Sequence, residues 1–365
     1  TTLFRSALAG LRKRMGIDVE IEAAQERELI SRDKEVMIEK LHTINKNKTY
    51  DDEITFVSLE FIDDLTDSSI NNQQQRESNH HFMLALALCH SVMTEPDPKQ
   101  PNKLMLKAQS PDEAALVGTA RSLGFNFKGT TKTGVIVDVH GETKEYQVLN
   151  TLEFNSTRKR MSSIIKIPGE GPNDEPRALL ICKGADSIIY ERLSATENDP
   201  SMLEKTSKHL EEYATEGLRT LCIAERELSW KQYVEWNKRH QAAASSLDDR
   251  EAKMEAVADS IERELTLLGG TAIEDRLQDG VPDAISILAD AGIKLWVLTG
   301  DKVETAINIG FSCNLLGNDM QLLVIKTAYN DDENGSNDDN SSEDKNSLQG
   351  LKFGHNASEP EIVDT

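Results

Sequence analysis

Short apolar runs separated by turn signals predict a mixture of strands and helices along most of the chain. Runs rich in Val, Ile and Leu are typical of strands. Such runs occupy residues 135–139, 145–154, 161–167, 178–182 and 218–226. The segments between several of them have helical character, so the pattern favours a mixed α/β architecture.

Several helices are marked by the residues that begin or end them. Ser110, Pro111 and Glu113 suit the N-cap, first-turn and capping-box positions of one helix, and Gly124 suits its end. Other helical segments are predicted within 3–44, at 82–92, 186–193 and 201–217, and from 229 onwards. The polar segment 64–81 and the proline-rich segment 94–102 are predicted to be loops.

From residue 265 onwards, predicted strands and helices alternate. Strands are expected at 265–270, 294–298 and 322–325, a polar connector at 271–279, and helices at 281–291 and up to about residue 316. This alternation indicates a parallel sheet covered by helices. Residues 331–365 hold ten acidic residues and two lysines, which predicts disorder. The expected organisation is therefore one domain at 1–264, a second at 265–330, and an acidic segment at 331–365.

Composition excludes several classes of function. The chain has 41 Lys+Arg against 63 Asp+Glu, a formal net charge of −22, which disfavours nucleic-acid binding. Neither the four cysteines nor the eight histidines show the spacing of a metal site, and the cysteines do not indicate a secreted disulfide framework. The longest apolar run, 82–89, is eight residues, whereas a membrane span needs about 20. We expect a soluble chain in a reducing, cytosolic setting.

A Lys-Gly-Ala-Asp segment at residues 183–186 lies between a predicted strand and a predicted helix. Gly184 permits close approach of a ligand to the backbone, and a helix N-terminus favours an anion or a nucleotide there. The alternative is an ordinary strand-to-helix turn with a solvated Lys183.

Phe154 is followed closely by three consecutive cations, at residues 158–160. An exposed aromatic ring beside cations suits a nucleotide, because the ring stacks on a purine and the cations meet phosphate. The alternative is a core phenylalanine followed by a solvated basic turn.

Three further positions carry weaker signals. Glu113 is explained by helix capping, but a carboxylate there also suits the amino group of an adenine. Arg219 lies in an apolar strand and needs either a phosphate or an ion-pair partner on an edge strand. The sequence Thr299-Gly300-Asp301 follows a predicted strand, as phosphate-binding turns do in parallel sheets.

Taken together, these motifs closely resemble the cytosolic region of type-IV P-type ATPases, the phospholipid flippases, and in particular fungal members. The resemblance covers nearly all of residues 8–326 and rests on motifs at residues 109–116, 153–162, 183–186, 217–221, 273–282 and 298–306. The versions at 153–162 and 273–282 indicate lipid transporters rather than cation pumps.

The resemblance implies a nucleotide-binding domain at 1–264, with an antiparallel sheet flanked by helices. It also implies a partial phosphorylation domain of the haloacid-dehalogenase type at 265–330, with a hinge at about 271–280. ATP is the implied ligand, with Phe154 stacking on adenine and Glu113 beside it. The other implied nucleotide-binding residues are Ser156, Lys159, Lys183, Arg219, Thr220, Thr299, Gly300 and Asp301.

The resemblance also implies a larger parent enzyme. Its Asp-Lys-Thr-Gly-Thr nucleophile motif and its Gly-Asp-Gly-x-Asn-Asp motif for Mg²⁺ do not occur in this sequence. We therefore expect no catalytic residue and few Mg²⁺ ligands here, and ATP binding without hydrolysis. The parent would move phospholipid between leaflets of the plasma, Golgi or endosomal membrane through an aspartyl-phosphate, with a small two-span accessory subunit as partner.

Two alternatives belong to other classes of protein. A stand-alone nucleotide-binding regulatory module needs none of the absent motifs. A haloacid-dehalogenase-type phosphatase with a large cap agrees with the pattern over residues 281–316, but no Asp-x-Asp nucleophile precedes residue 265 in a suitable setting.

Overall fold

The computed structural model describes residues 19–44, 56–98, 104–169, 171, 174–215, 218–274, 277, 280–299, 303–317, 320, 322–323, 325–327 and 351–353. The chain divides into two compact units, one formed by Thr1–Leu277 with Thr299–Asn308 and the other by Gln278–Leu298 with Ile309–Thr365. None of the helices within the described ranges is both long and apolar enough to cross a bilayer.

A seven-stranded antiparallel sheet forms the centre of the first unit. Its strands are β3 (Phe125–Thr130), β4 (Gly134–Val139), β5 (Glu142–Leu152), β6 (Arg160–Ile167), β7 (Arg177–Gly184), β8 (Arg219–Ser229) and β9 (Thr266–Ile273). Each strand pairs with the next one along the chain. A separate hairpin joins β1 (Met93–Pro96) to β2 (Leu104–Lys107).

Helices cover both faces of this sheet. The first unit contains α1 (Val19–Ile44), α2 (Leu59–Thr66), a 3₁₀ turn (Ile70–Asn72), α3 (Gln73–Leu88), α4 (Pro111–Ser122), α5 (Asp186–Tyr190), α6 (Pro200–Thr215), α7 (Trp230–Ala244) and α8 (Arg250–Ile261). Because alternate residues of a strand face opposite sides, Met161 and Ile165 of β6 join the core under α3 and α4. Ile164, between them, joins the core under α6, α7 and α8. The predicted α/β fold with an antiparallel sheet flanked by helices is confirmed.

Two segments predicted as loops contain regular structure. The polar segment 64–81 includes the first half of α3, where Gln73 and Gln75 donate to Glu77 and Asn79 one turn later, at 2.8 and 3.0 Å. These i,i+4 bonds support a helix that has no apolar stripe there. The segment 94–102 begins with strand β1, which tolerates Pro96 because the proline is the last residue of a short strand.

The predicted parallel sheet after residue 265 is not formed among the described residues. The predicted strand 265–270 is β9, which pairs antiparallel with β8, so the sheet continues past the predicted domain boundary at 264/265. Residues 294–298 belong to no strand. The remaining elements are α9 (Val281–Asp290), α10 (Val303–Ser312), β10 (Ile325–Thr327) and β11 (Leu351–Phe353).

The acidic segment predicted to be disordered lies outside the described residues except for β11, which pairs antiparallel with β10. The predicted domain limits themselves stay predictions.

Gly184 ends β7, where the backbone of β6 leaves no room for a side chain. It lies opposite Arg160, and a Cβ added at Gly184 would be 2.6 Å from the Cβ of Arg160 and 2.8 Å from the carbonyl oxygen of Lys159. Real Cβ atoms do not approach so closely, so a side chain here would separate the ends of the two strands.

We predict that Gly184→Ala lowers the free energy of unfolding by about 1–3 kcal/mol, as overpacking typically does. Gly118→Ala is the matched control, because its new methyl would meet only Leu106 at 3.9 Å. That change, within α4, should be neutral or stabilising by up to about 1 kcal/mol. Urea denaturation of the two variants measures both values, and equal stability of the two variants would contradict the close approach at Gly184.

Candidate functional site

The ends of β5, β6 and β7 bring two of the sequence motifs to one end of the sheet. Leu152 of β5 pairs with Ser162 of β6, and Met161 of β6 pairs with Lys183 of β7. The connection from β5 to β6, which carries Phe154, therefore lies at the same end as Lys183. The backbone N–H of Ala185 also donates to the carbonyl of Lys159, at 3.2 Å, which joins the two motifs directly.

The β5–β6 connection presents an aromatic ring and one ammonium group to solvent. Phe154 is 63% exposed, so it is not the core phenylalanine of the alternative interpretation. Ser156 and Lys159 are also exposed. Lys159 has a φ of +52°, a left-handed conformation that is unusual for a residue other than glycine.

The three consecutive cations of this connection do not behave alike. Arg158 and Arg160 are 8% and 2% exposed, and both contact the buried carboxylate of Glu262. The expectation that all three cations meet a phosphate is therefore wrong for the two arginines, and so is the alternative of a solvated basic turn. Only Lys159 offers its charge to a ligand.

Glu113 and Lys183 form a largely buried ion pair. The Nζ of Lys183 lies 3.0 Å from the Oε1 of Glu113, with the two side chains 6% and 14% exposed. The hydroxyl and the backbone N–H of Ser91 donate to the other carboxylate oxygen, the N–H at 3.2 Å. Lys183 is thus neither solvated nor free of partners, in contrast to the alternative of an ordinary turn.

The capping-box prediction for Glu113 is wrong. Ser110 makes no side-chain hydrogen bond at the N-cap of α4, and Glu113 is engaged by Ser91 and Lys183 instead. Burial raises the pKa of the Glu113 carboxyl, but the Lys183 ammonium and the Ser91 hydrogen bonds outweigh burial and hold that pKa below its ordinary value. At neutral pH Glu113 is a carboxylate that only accepts hydrogen bonds.

Arg219 has a protein partner. Its guanidinium lies 3.3 Å from the carboxylate of Asp112, in the first turn of α4. The alternative prediction of a salt bridge is correct, because Arg219 pairs with Asp112. The prediction of an edge strand is wrong, because the strand that carries Arg219 lies between β7 and β9. Thr220 is half-buried and pairs with Ala272 of β9.

The remaining predicted residues are described only in part. Thr299 is exposed, whereas Gly300 and Asp301 lie outside the described residues, as do Asp275 and Arg276 of the predicted hinge. Within the described ranges, no group of three or more His, Cys, Asp or Glu side chains is arranged to hold a metal ion.

Sequence reasoning missed three residues beside the Glu113–Lys183 pair. Ser91 and Asp112 hold Glu113 and Arg219, as described above. His90 packs edge-on against Phe127, and its ring nitrogens bond to the Ala87 carbonyl at 2.9 Å and the Val92 N–H at 3.1 Å. Burial, with Lys183 nearby, lowers the pKa of His90 to about 4, so the ring is neutral. Asp112 adjoins a predicted residue, but no motif signal marks Ser91 or His90.

In chemical terms, this end of the sheet offers an exposed aromatic face, one exposed ammonium and a fixed carboxylate acceptor. A flat heterocycle with an amino group matches the ring and the carboxylate. An anionic substituent on that heterocycle matches Lys159. This combination suits a nucleotide better than a metal ion or an apolar ligand.

Comparisons with known proteins agree with this description. A family model for the cytoplasmic domain N of P-type ATPases matches residues 78–280, which include the whole seven-stranded sheet. Phospholipid-transporting ATPase DNF2 of Saccharomyces cerevisiae is 59% identical over 362 residues, covering 98% of this chain and 22% of that protein. Phospholipid-transporting ATPase DNF1 of the same yeast is 64% identical over 331 residues, covering 90% of this chain and 21% of that protein.

A relative from another fungus gives the same result. Phospholipid-transporting ATPase DNF1 of Chaetomium thermophilum is 55% identical over 329 residues, covering 90% of this chain and 21% of that protein. The chain thus spans about a fifth of the length of these relatives, and the resemblance predicted from the motifs is confirmed. Because the family model matches more than half of the chain, and matches the part that forms the sheet and the site, the chain belongs to the P-type ATPases and contains their cytoplasmic domain N.

Proposed function

We propose that this chain binds ATP as the nucleotide-binding part of a phospholipid-translocating P-type ATPase. The observation that carries the proposal is the buried Glu113–Lys183 pair, at 3.0 Å, at the same end of the sheet as the exposed ring of Phe154. The names of the relatives support the class of transport, and the family supports the use of ATP with Mg²⁺.

In this proposal the nucleotide lies at the ends of β5, β6 and β7. Phe154 stacks on the adenine ring, and the carboxylate of Glu113 accepts a hydrogen bond from its amino group. Ser156 and Lys183 line the pocket, and Lys159 meets the phosphates. A carboxylate with a lowered pKa suits this role, because a protonated carboxyl would place a donor opposite the donor of adenine.

Arg219 and Thr220 are proposed to reach toward the phosphates, and for Arg219 this needs a rearrangement. Arg219 must leave Asp112 to reach a phosphate, and because this pair is partly exposed, its loss costs little. Thr299, Gly300 and Asp301 are proposed to belong to a partial phosphorylation domain at 265–330 that follows the nucleotide-binding domain at 1–264. There Thr299 helps to bind the transferred phosphoryl group.

For the whole protein we propose the chemistry implied by the family. ATP phosphorylates an aspartate outside this sequence, with Mg²⁺ held mainly by residues that are also outside it. Formation and hydrolysis of that aspartyl-phosphate drive movement of a phospholipid between leaflets, with a small two-span accessory subunit as partner. The chain described here is the cytosol-facing part, in the plasma membrane or in Golgi or endosomal membranes.

We predict that Phe154→Ala weakens ATP binding about tenfold, since stacking of a base on an aromatic ring contributes roughly 1–3 kcal/mol. Phe154→Tyr keeps the ring and should bind ATP as the parent chain does. Ile70→Ala is a control for loss of an exposed apolar side chain elsewhere, because Ile70 is 79% exposed. Calorimetric titration with ATP measures the dissociation constants of the unsubstituted 365-residue chain and the three variants. Equal affinity of the unsubstituted chain and Phe154→Ala for ATP would contradict the stacking role.

We also predict that the 365-residue chain does not hydrolyse ATP, because phosphoryl transfer requires a nucleophile and a metal in line with the leaving group. The rate of phosphate release from ATP and Mg²⁺ should be the same with the chain as in buffer without protein. Phe154→Ala controls for a contaminating ATPase, whose activity would persist in both preparations. Turnover that depends on Mg²⁺, scales with the parent chain and falls in Phe154→Ala would contradict this prediction.

A further inference from the structure

Lys159 lies between two arginines that point into the protein. Arg158 and Arg160 contact the same carboxylate, that of Glu262, which is completely buried. The Nε of Arg160 lies 2.7 Å from Oε2 of Glu262, and an Nη of Arg158 contacts Oε1. The hydroxyl of Ser162 donates to Oε1 as well, at 2.6 Å.

The position of Glu262 is unfavourable for a carboxylate by itself. Glu262 is the C-cap residue of α8, where the helix dipole favours cations over anions. Burial adds a further penalty unless the charge is paired and hydrogen-bonded. Two guanidinium groups and a hydroxyl offset both penalties, and Arg160 also pairs with Asp259 of α8, at 2.9 Å.

This network attaches the β5–β6 connection to α8. Arg158 donates to the carbonyl of Glu153 at 2.9 Å, just before Phe154. Its backbone N–H donates to the side chain of Asn155 at 2.7 Å, and Asn155 in turn donates to Glu255 of α8 at 3.1 Å. The connection is thus tied to the helix at two separate points.

The backbone of Lys159 depends on this attachment. Its N–H donates to the carbonyl of Asn155 at 2.8 Å, and its own carbonyl accepts from Ala185 at 3.2 Å. A left-handed φ is disfavoured for such a residue and persists only where the surroundings fix it. With the arginines on either side held inward, the side chain of Lys159 is directed to solvent.

We propose that Glu262 is a positioning residue for nucleotide binding, which acts by holding Arg158 and Arg160 so that Lys159 presents its ammonium to the phosphates of ATP. The inference rests on the proposed function and extends it to a residue that does not contact the ligand. Packing alone does not require this arrangement, since apolar side chains often replace a buried ionic cluster without loss of stability.

A double-mutant cycle between Glu262 and Lys159 tests the inference. Glu262→Gln keeps the side-chain volume and removes the charge. If Glu262 acts through Lys159, Glu262→Gln should weaken ATP binding about fivefold or more in the parent chain, the scale of a charge-assisted contact. In a Lys159→Ala background the same change should have less than about a twofold effect, because coupled residues are not additive. Calorimetric titration with ATP measures the four dissociation constants.

Amide hydrogen exchange gives a second readout that does not depend on ATP. In Glu262→Gln, the N–H groups of Lys159 and Ala185 should exchange at least about tenfold faster, while amides paired between β3 and β4 keep their protection. Ile261→Val is the matched control. It is the neighbouring buried residue, 4% exposed, and its truncation destabilises the same core without touching the ionic network. Ile261→Val should leave the ATP affinity unchanged. It should not make the N–H groups of Lys159 and Ala185 exchange faster than the other amides.

Asn155→Ala provides a variant without an unpaired buried charge, in case Glu262→Gln does not fold. It removes the second attachment of the connection to α8 and should show the same non-additivity with Lys159→Ala. Equal losses of affinity in both backgrounds, or unchanged affinity in the parent background, would overturn the inference and leave the proposed function intact. Absence of ATP binding by the parent chain would overturn the proposed function, and the inference with it.

Discussion

The ion pair between Glu113 and Lys183 is the interaction on which the site depends. It joins the first turn of α4, on one face of the sheet, to the end of β7. Because both side chains are largely buried, removal of either partner leaves an uncompensated charge, which typically destabilises a protein by about 3–5 kcal/mol. Asp112, which precedes Glu113 in α4, pairs with Arg219 and makes a second, more exposed link between the helix and the sheet. Together they fix the N-terminus of α4 above the ends of β7 and β8.

Most strands of the sheet are predictable from local sequence, but β3 (Phe125–Thr130) is not among the predicted segments. Each of the predicted segments at 135–139, 161–167 and 178–182 lies within an observed strand, with differences of a few residues at the ends. An apolar run is a local signal, and in this sheet it agrees with the tertiary structure because both faces are covered. The N-terminal half of α3 was missed because its helix is supported by polar i,i+4 bonds rather than by an apolar stripe.

The site was predictable in its residue types but not in its contacts. The motifs identified Phe154, Lys159 and Lys183, all at one end of the sheet. No local pattern showed that Arg158 and Arg160 turn inward, because their partner Glu262 lies 104 and 102 residues later in the chain. For the same reason the local pattern at Glu113 indicates a capping residue, because its real partners are 22 and 70 residues away. Long-range pairing of charges is a tertiary property that single-sequence patterns do not contain.

The central claim is that ATP binds at the ends of β5, β6 and β7, and an NMR titration of the whole chain with a non-hydrolysable ATP analogue tests it most directly. Backbone amide signals at Glu113, Phe154, Lys159 and Lys183 should shift together, with one common dissociation constant. Signals around the exposed Trp296 of the second unit, which is 87% exposed, serve as the remote comparison. Shifts confined to that region, or a saturated titration that leaves Phe154 and Lys183 unchanged, would contradict the claim.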